Sequence, residues 1–303
     1  MNHSLRAALA AFCITLSALP LSAVADDDAD AVADRMLDTS RVCGEKRGFA
    51  FFRTLEVVGL TSDGRLMCFS EHRPGRARTI GAVTGFTGGD SVLIGIDYRV
   101  QDGKLYGVGN AGGVYLIDAT NAAATFVSRL TEELEGTRFG VDFNPAADRL
   151  RVVSNTGQNL RHNINPGGTT IKDGTLNYTA GTPAVGIVGS AYTNNDLNAD
   201  TATTLYALDA NLDQIAIQSP PNNGSLGATG KLAVDTTEQA GFDIYSFVRN
   251  GVTLDVFAFA SLMGADGRTA FYEVTLPTGK AALRGHFDSR NQVVDIAIPL
   301  NQL

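Results

Sequence analysis

Five short apolar stretches recur along this chain at intervals of about 45 to 52 residues: LIGIDY (Leu93 to Tyr98), RFGVDF (Arg138 to Phe143), IVGSAY (Ile187 to Tyr192), QAGFDI (Gln239 to Ile244) and QVVDIAI (Gln292 to Ile298). Each of the first three is followed by a loop and a second strand with Leu near its start, in KLYGV, RLRVV and TLYAL; the fourth is followed by TLDVFAF and TAFYEV. Gly and Asn-Gly turns separate runs of alternating apolar residues, and a sustained helical period is missing, which excludes an α/β solenoid. Each unit has room for about four short strands, and repeats of that length and content are the signature of an all-β fold, the β-propeller.

The ends of the repeat say how the ring closes. TLEVVGLTSDGRLMCFSE followed by RTIGAV reads as the later strands of a unit that lacks its LIGIDY strand, whereas the C-terminal QVVDIAIPL is such a strand with no unit after it. Joining them completes a fifth blade and removes the exposed edges that would otherwise invite aggregation. Five four-stranded blades are therefore expected, with six open as the alternative if the longer fourth unit splits.

GVDFNPAADRLRVVSNTGQNLRHNINPGGTTI (Gly140 to Ile171), with GIDYRVQDGKLYGVG and TTLYALD, resembles a family of secreted bacterial propellers catalogued as a domain of unknown function. The resemblance runs from about Leu55 to Pro299. It implies fold and an exported location, and it brings no substrate or catalytic residue with it.

The N-terminal residues support the same location. Arg6 precedes an apolar run from Ala7 to Leu21, and Ala23-Val24-Ala25 forms a small-x-small site ahead of acidic residues. Cleavage is expected between Ala25 and Asp26. Ser17 and Pro20 interrupt the apolar run, which is shorter than the roughly 20 residues of a membrane span. Phe12 before Cys13 is too large for lipoprotein processing. The expected organisation is a signal peptide over 1–25, an acidic extension over 26–48 and a single propeller domain over 49–303. The product is expected to be periplasmic or secreted, not inserted in a membrane, and monomeric.

A net charge of −8 argues against nucleic acid, because phosphate contacts need clustered Lys and Arg and the longest basic run, HRPGRAR at His72 to Arg78, is short. Only Cys43 and Cys68 survive processing. In an oxidising compartment an even pair is expected to form a disulfide.

Chemistry leaves fewer marks. The inner-strand stretches carry Asp97, Asp142, Asp243 and Asp295, with Ala191 in the remaining unit. Four carboxylates round one axis would repel one another unless each accepts backbone N–H groups or they share a cation with oxygen ligands, for which calcium is the candidate. The unit from Arg138 also breaks the apolar pattern. Setting Asn155 against Asn110 puts Gln158, Asn159, Arg161 and His162 where its neighbour has Gly113, Val114, Leu116 and Ile117, and Arg151 where it has Tyr106. Either these strands are solvated or structural, or they form a polar site suited to a carbohydrate or carboxylate. Asp196, Asn198 and Asp200 mimic the start of a calcium loop, but Thr201 and Ala207 stand where Gly and Glu are needed, so a polar surface loop is expected.

The mature histidines are His72, His162 and His286, and no nucleophile-elbow or zinc-hydrolase motif accompanies them. The expected function is a non-catalytic binding or interaction module for a protein, a glycan or a small ligand. The alternative is a metal-assisted hydrolase or lactonase acting at the central channel.

Overall fold

The computed structural model describes residues 54–303. These residues form five sheets of four antiparallel strands, the five blades of a β-propeller. β1 (Glu56–Thr61), β2 (Arg65–Ser70) and β3 (Arg78–Ala82) come first in the chain. β4 (Leu93–Arg99), β5 (Lys104–Gly109), β6 (Gly113–Ile117) and β7 (Ala124–Arg129) make the first complete blade. β8 (Phe139–Asn144), β9 (Arg149–Ser154), β10 (Asn159–His162) and β11 (Thr170–Lys172) make the second, and β12 (Ile187–Tyr192), β13 (Leu205–Asp209), β14 (Gln214–Gln218) and β15 (Leu226–Lys231) the third. β16 (Ala240–Arg249), β17 (Val252–Met263), β18 (Thr269–Val274) and β19 (Ala281–His286) make the fourth. β20 (Val293–Ala297) then pairs with β1 to complete the fifth.

That last pairing is the ring closure expected from the two chain ends. β20 runs antiparallel to β1 with Ala297 opposite Val58 and Asp295 opposite Leu60. The fourth unit does not split: its extra length makes one long hairpin, β16 and β17, of 10 and 12 residues. The ring has five blades, and the alternative of six is excluded.

Strands near the axis are covered on both faces by neighbouring blades, so they read as nearly continuous apolar runs. All of β12 is buried and only the first residue of β5 is exposed, while the outermost strands β3 and β7 are largely open to solvent. Five apolar clusters fill the five interfaces between blades. The cluster between the second and third blades holds seven buried apolar residues, against ten to fourteen at the others, so something other than apolar packing must join those two blades. At the axis the inner strands approach so closely that a Cβ on Gly140 would lie 2.6 Å from the Ser190 nitrogen, and one on Gly241 2.4 Å from the Asp295 Cα.

Among the described residues no helix is long and apolar enough to cross a membrane. Ala25, Asp26 and Cys43 lie outside the described residues; Cys68 is buried in β2.

Candidate functional site

Each inner strand is the edge of its own sheet, so its axis-side N–H groups have no strand partner. Carboxylates from the preceding blade take several of them. Asp97 Oδ2 accepts from the Phe143 N–H at 2.7 Å, Asp142 Oδ1 from Tyr192 at 3.1 Å, Asp243 Oδ2 from Ile298 at 2.6 Å and Asp295 Oδ2 from Ile96 at 2.8 Å. Blades one to two, two to three, four to five and five to one are thereby latched. Between the third and fourth blades, where Ala191 stands, the link is instead Asn195, whose N–H and side-chain amide donate to Ser246 Oγ and the Ile244 carbonyl.

The strand registers correct one expectation. Asp97 faces Tyr106 across its blade and Gly95 faces Val108, and the VVGL run of β1 matches the LYGV run of β5. Ala297, opposite Val58, therefore occupies the place of Asp97, and Asp295 occupies that of Gly95, two residues earlier. Three carboxylates, not four, share the repeat position. One oxygen from each of Asp97, Asp142 and Asp243 lies within 4.8 Å of the others.

All four acids are buried, with 3 to 7 % of their surface exposed. Burial, and then the neighbouring carboxylates, hold the carboxyls of Asp97 and Asp142 well above the usual range. Burial raises Asp295 likewise, and it pushes Asp243 up to about 6 against the pull of the Ile298 and Ile244 N–H groups. Each of the four acids ties its own inner strand to the backbone of a neighbouring blade.

The polar residues of the second blade form a hub against the third. Arg151, 1 % exposed, donates to Asn159 Oδ1 and Asp173 Oδ2, both at 2.7 Å, to Asn222 Oδ1 at 3.0 Å and to the Tyr192 hydroxyl at 3.3 Å. Arg161, opposite Arg151 in the ladder, makes a two-point bond to the same Asp173, at 3.0 Å to each oxygen. Asn159 donates to the carbonyls of Gly174 and Pro221, and Gln218 donates to Asn159 Oδ1. This network stands where the apolar cluster is smallest. Two guanidinium groups share one carboxylate, and the Arg161 side chain keeps 26 % of its surface exposed.

His162 is fully buried away from Arg161's charge, with ring nitrogens 3.0 Å from the hydroxyls of Ser128 and Thr170; burial lowers its pKa, so it is neutral. Gln158 clamps the loop before β8 through the Glu135 N–H and the Glu133 carbonyl. Asn155 Oδ1 accepts from the N–H groups of Thr137 and Arg138, as Asn110 Oδ1 accepts from Ser91 and Val92, which confirms the alignment of the two units. Asp196 bonds Thr253 through its N–H and hydroxyl, and the Asn198 and Asp200 N–H groups fold back on the loop itself. His72 and His286 are exposed. A recess of about 520 Å³ is lined by Phe247, Phe257, Leu303 and Asp255, an apolar surface with no acid–base pair.

Sequence reasoning missed Asp173, Asn222 and Gln218. Asp173 follows a three-residue strand and precedes a Gly, so it reads as a turn residue; the visible signal was its two arginines, which break the apolar pattern.

The family described as Domain of unknown function (DUF4394) matches residues 65–297. No curated protein matches the chain. Among solved structures, a glutaminyl cyclase from Myxococcus xanthus is 16% identical over 68% of this chain and 69% of its own, with a TM-score of 0.38. A protein of unknown function from Bacteroides thetaiotaomicron is 14% identical over 85% and 70%, with a TM-score of 0.41. An auxiliary nutrient binding protein from the same organism is 14% identical over 71% and 55%, with a TM-score of 0.37. These likenesses are too distant to bear on function.

Proposed function

This chain belongs to the DUF4394 family, and from that premise we propose that it is an exported β-propeller that binds its ligand without converting it. The observation that carries this reading is the state of the axis. A metal-assisted hydrolase or lactonase at the channel needs wet carboxylates with free oxygens and a general base nearby. Here the axial carboxylates are buried and each gives one oxygen to a backbone N–H of a neighbouring blade, and the one buried histidine among the described residues is bonded on both nitrogens.

The binding edge is Arg161, where the second and third blades meet. Asp173 neutralises one of its two arginines, which leaves a net positive charge on an acidic protein, and part of the Arg161 side chain remains exposed. Its Nε and one Nη2 hydrogen face Asp173, which leaves the Nη1 and Nη2 edge of the guanidinium for a second carboxylate, so the ligand class is a carboxylate-bearing glycan or small acid.

Thermal shift and calorimetry of the mature protein against uronic acids, neutral sugars and lactones test this. A uronate should stabilise the wild type, and Arg161→Gln should abolish the effect while still unfolding cooperatively, with at most a small loss of stability. Equal response to neutral and acidic sugars, or an unchanged response in Arg161→Gln, would move the ligand elsewhere.

A further inference from the structure

The β16–β17 hairpin runs past its own blade. β17 pairs with β18 only from Ala258 onward, so among the described residues Val252 to Phe257 have β16 on one side and no third strand on the other. Phe247 stands opposite Asp255 and Tyr245 opposite Phe257, which puts all four on one face of this extension. Phe247, Phe257 and Leu303 pack against the buried cluster that contains Tyr245, Phe259 and Leu55, yet they stay partly exposed and line the recess of about 520 Å³. That volume has room for more than one aromatic side chain, and an uncovered apolar face of this kind calls for an occupant.

The position of the recess says what the occupant is. Leu55, 2 % exposed, belongs to the same cluster as Tyr245. The Glu56 N–H donates to Gln302 Oε1 at 2.7 Å, and the N–H groups of Gln302 and Leu303 donate to the Tyr245 hydroxyl, both at 2.9 Å. The start of β1, the C-terminal residues and the root of the hairpin therefore meet at the recess. Thr54, exposed, is the first described residue, so the chain before it leaves from the rim. That chain reads Gly48-Phe49-Ala50-Phe51-Phe52-Arg53, and its three phenylalanines are the only aromatic residues between Asp26 and Arg53. At roughly 3.3 to 3.6 Å per residue, even Phe49 lies within about 18 Å of Thr54.

We propose that the segment Phe49 to Phe52 seats in the recess lined by Phe247, Phe257 and Leu303, covering the aromatic face of the hairpin with the chain's own N-terminal side. In an extended segment Phe49 and Phe51 point to one side, which gives the recess two aromatic rings. Asp255 on its rim is exposed and enters none of the ion pairs among the described residues, and the segment is flanked by the opposite charges of Arg47 and Arg53. The short tether holds the segment at an effective concentration of about millimolar or more, which a separate protein has to exceed to displace it. The inference is independent of the ligand proposed at Arg161.

Hydrogen exchange of the full mature chain, with sedimentation at several concentrations, tests the seat. In the wild type the amides of residues 49–53 should exchange at least about tenfold more slowly than in an unstructured chain, at every concentration. Phe247→Ser should lose that protection while β8 and β9 keep theirs. A variant with Phe49, Phe51 and Phe52 all changed to Ser alters no residue of the ring, so its folding is not at issue; it should lose protection at residues 245–257 and gain binding of an apolar dye. The proposal is overturned if residues 49–53 exchange freely in the wild type, or if the triple variant leaves exchange at 245–257 unchanged. It is also overturned if protection appears only as the protein dimerises, since the occupant is then a second copy.

Discussion

Arg151 and Arg161 bond the same carboxylate from different environments, and the difference is measurable. Asp173→Asn leaves the Arg151 charge buried and uncompensated, which should cost about 3 to 5 kcal/mol in urea unfolding. Arg161→Gln removes a partly solvated arm of the same network and should cost about 1 kcal/mol or less. Equal costs would mean that Arg151 is not the structural centre of the hub. His162 adds a pH dependence. Its pKa is lowered by burial, so its contribution is present above about 6.5 and is lost as pH falls through the folded value; His162→Asn should flatten the acid side of the stability profile. The two arginines were legible because they displace Tyr106 and Leu116 of the neighbouring unit. Asp173 was not, because its role depends on a third strand too short to leave a pattern and on Asn222 from another blade.

Among the elements, β20 bears the closure, because it supplies an inner strand that no other part of the chain can replace. Deleting residues from Gln292 onward removes its ladder to β1 and also the Asp295 and Ile298 bonds to the first and fourth blades. The truncated protein should aggregate or lose cooperative unfolding, and wild-type unfolding would show that the ends do not close the ring. A second tie is expected from Cys43 to Cys68, closing a loop of about 25 residues for roughly 3 kcal/mol. Thiol labelling of the unfolded, unreduced protein should find no reactive sulfhydryl, and two would contradict the bond. Blade number and closure were readable in advance because strands covered on both faces must be apolar wherever they occur. The register of the last strand was not. QVVDIAI shares an Asp with its counterparts, but its alignment is set by β1 at the opposite end of the chain, and that pairing moves Asp295 two residues along the repeat.

For the whole molecule, the reading is of an exported ring whose axis is closed by its own acids and whose recognition lies on a blade edge. Mass spectrometry of periplasmic material should give a chain beginning at Asp26; a mature mass retaining residues 1 to 25 would contradict export by this route. The most direct test of binding without conversion is to incubate purified mature protein with uronates and lactones, with added calcium and with chelator, and to follow occupancy and product together. Saturable binding of a carboxylate ligand, with no product in either condition, is the expected result. Turnover that requires a divalent ion and disappears in Asp97→Asn or Asp142→Asn would contradict it and place a catalytic centre at the axis.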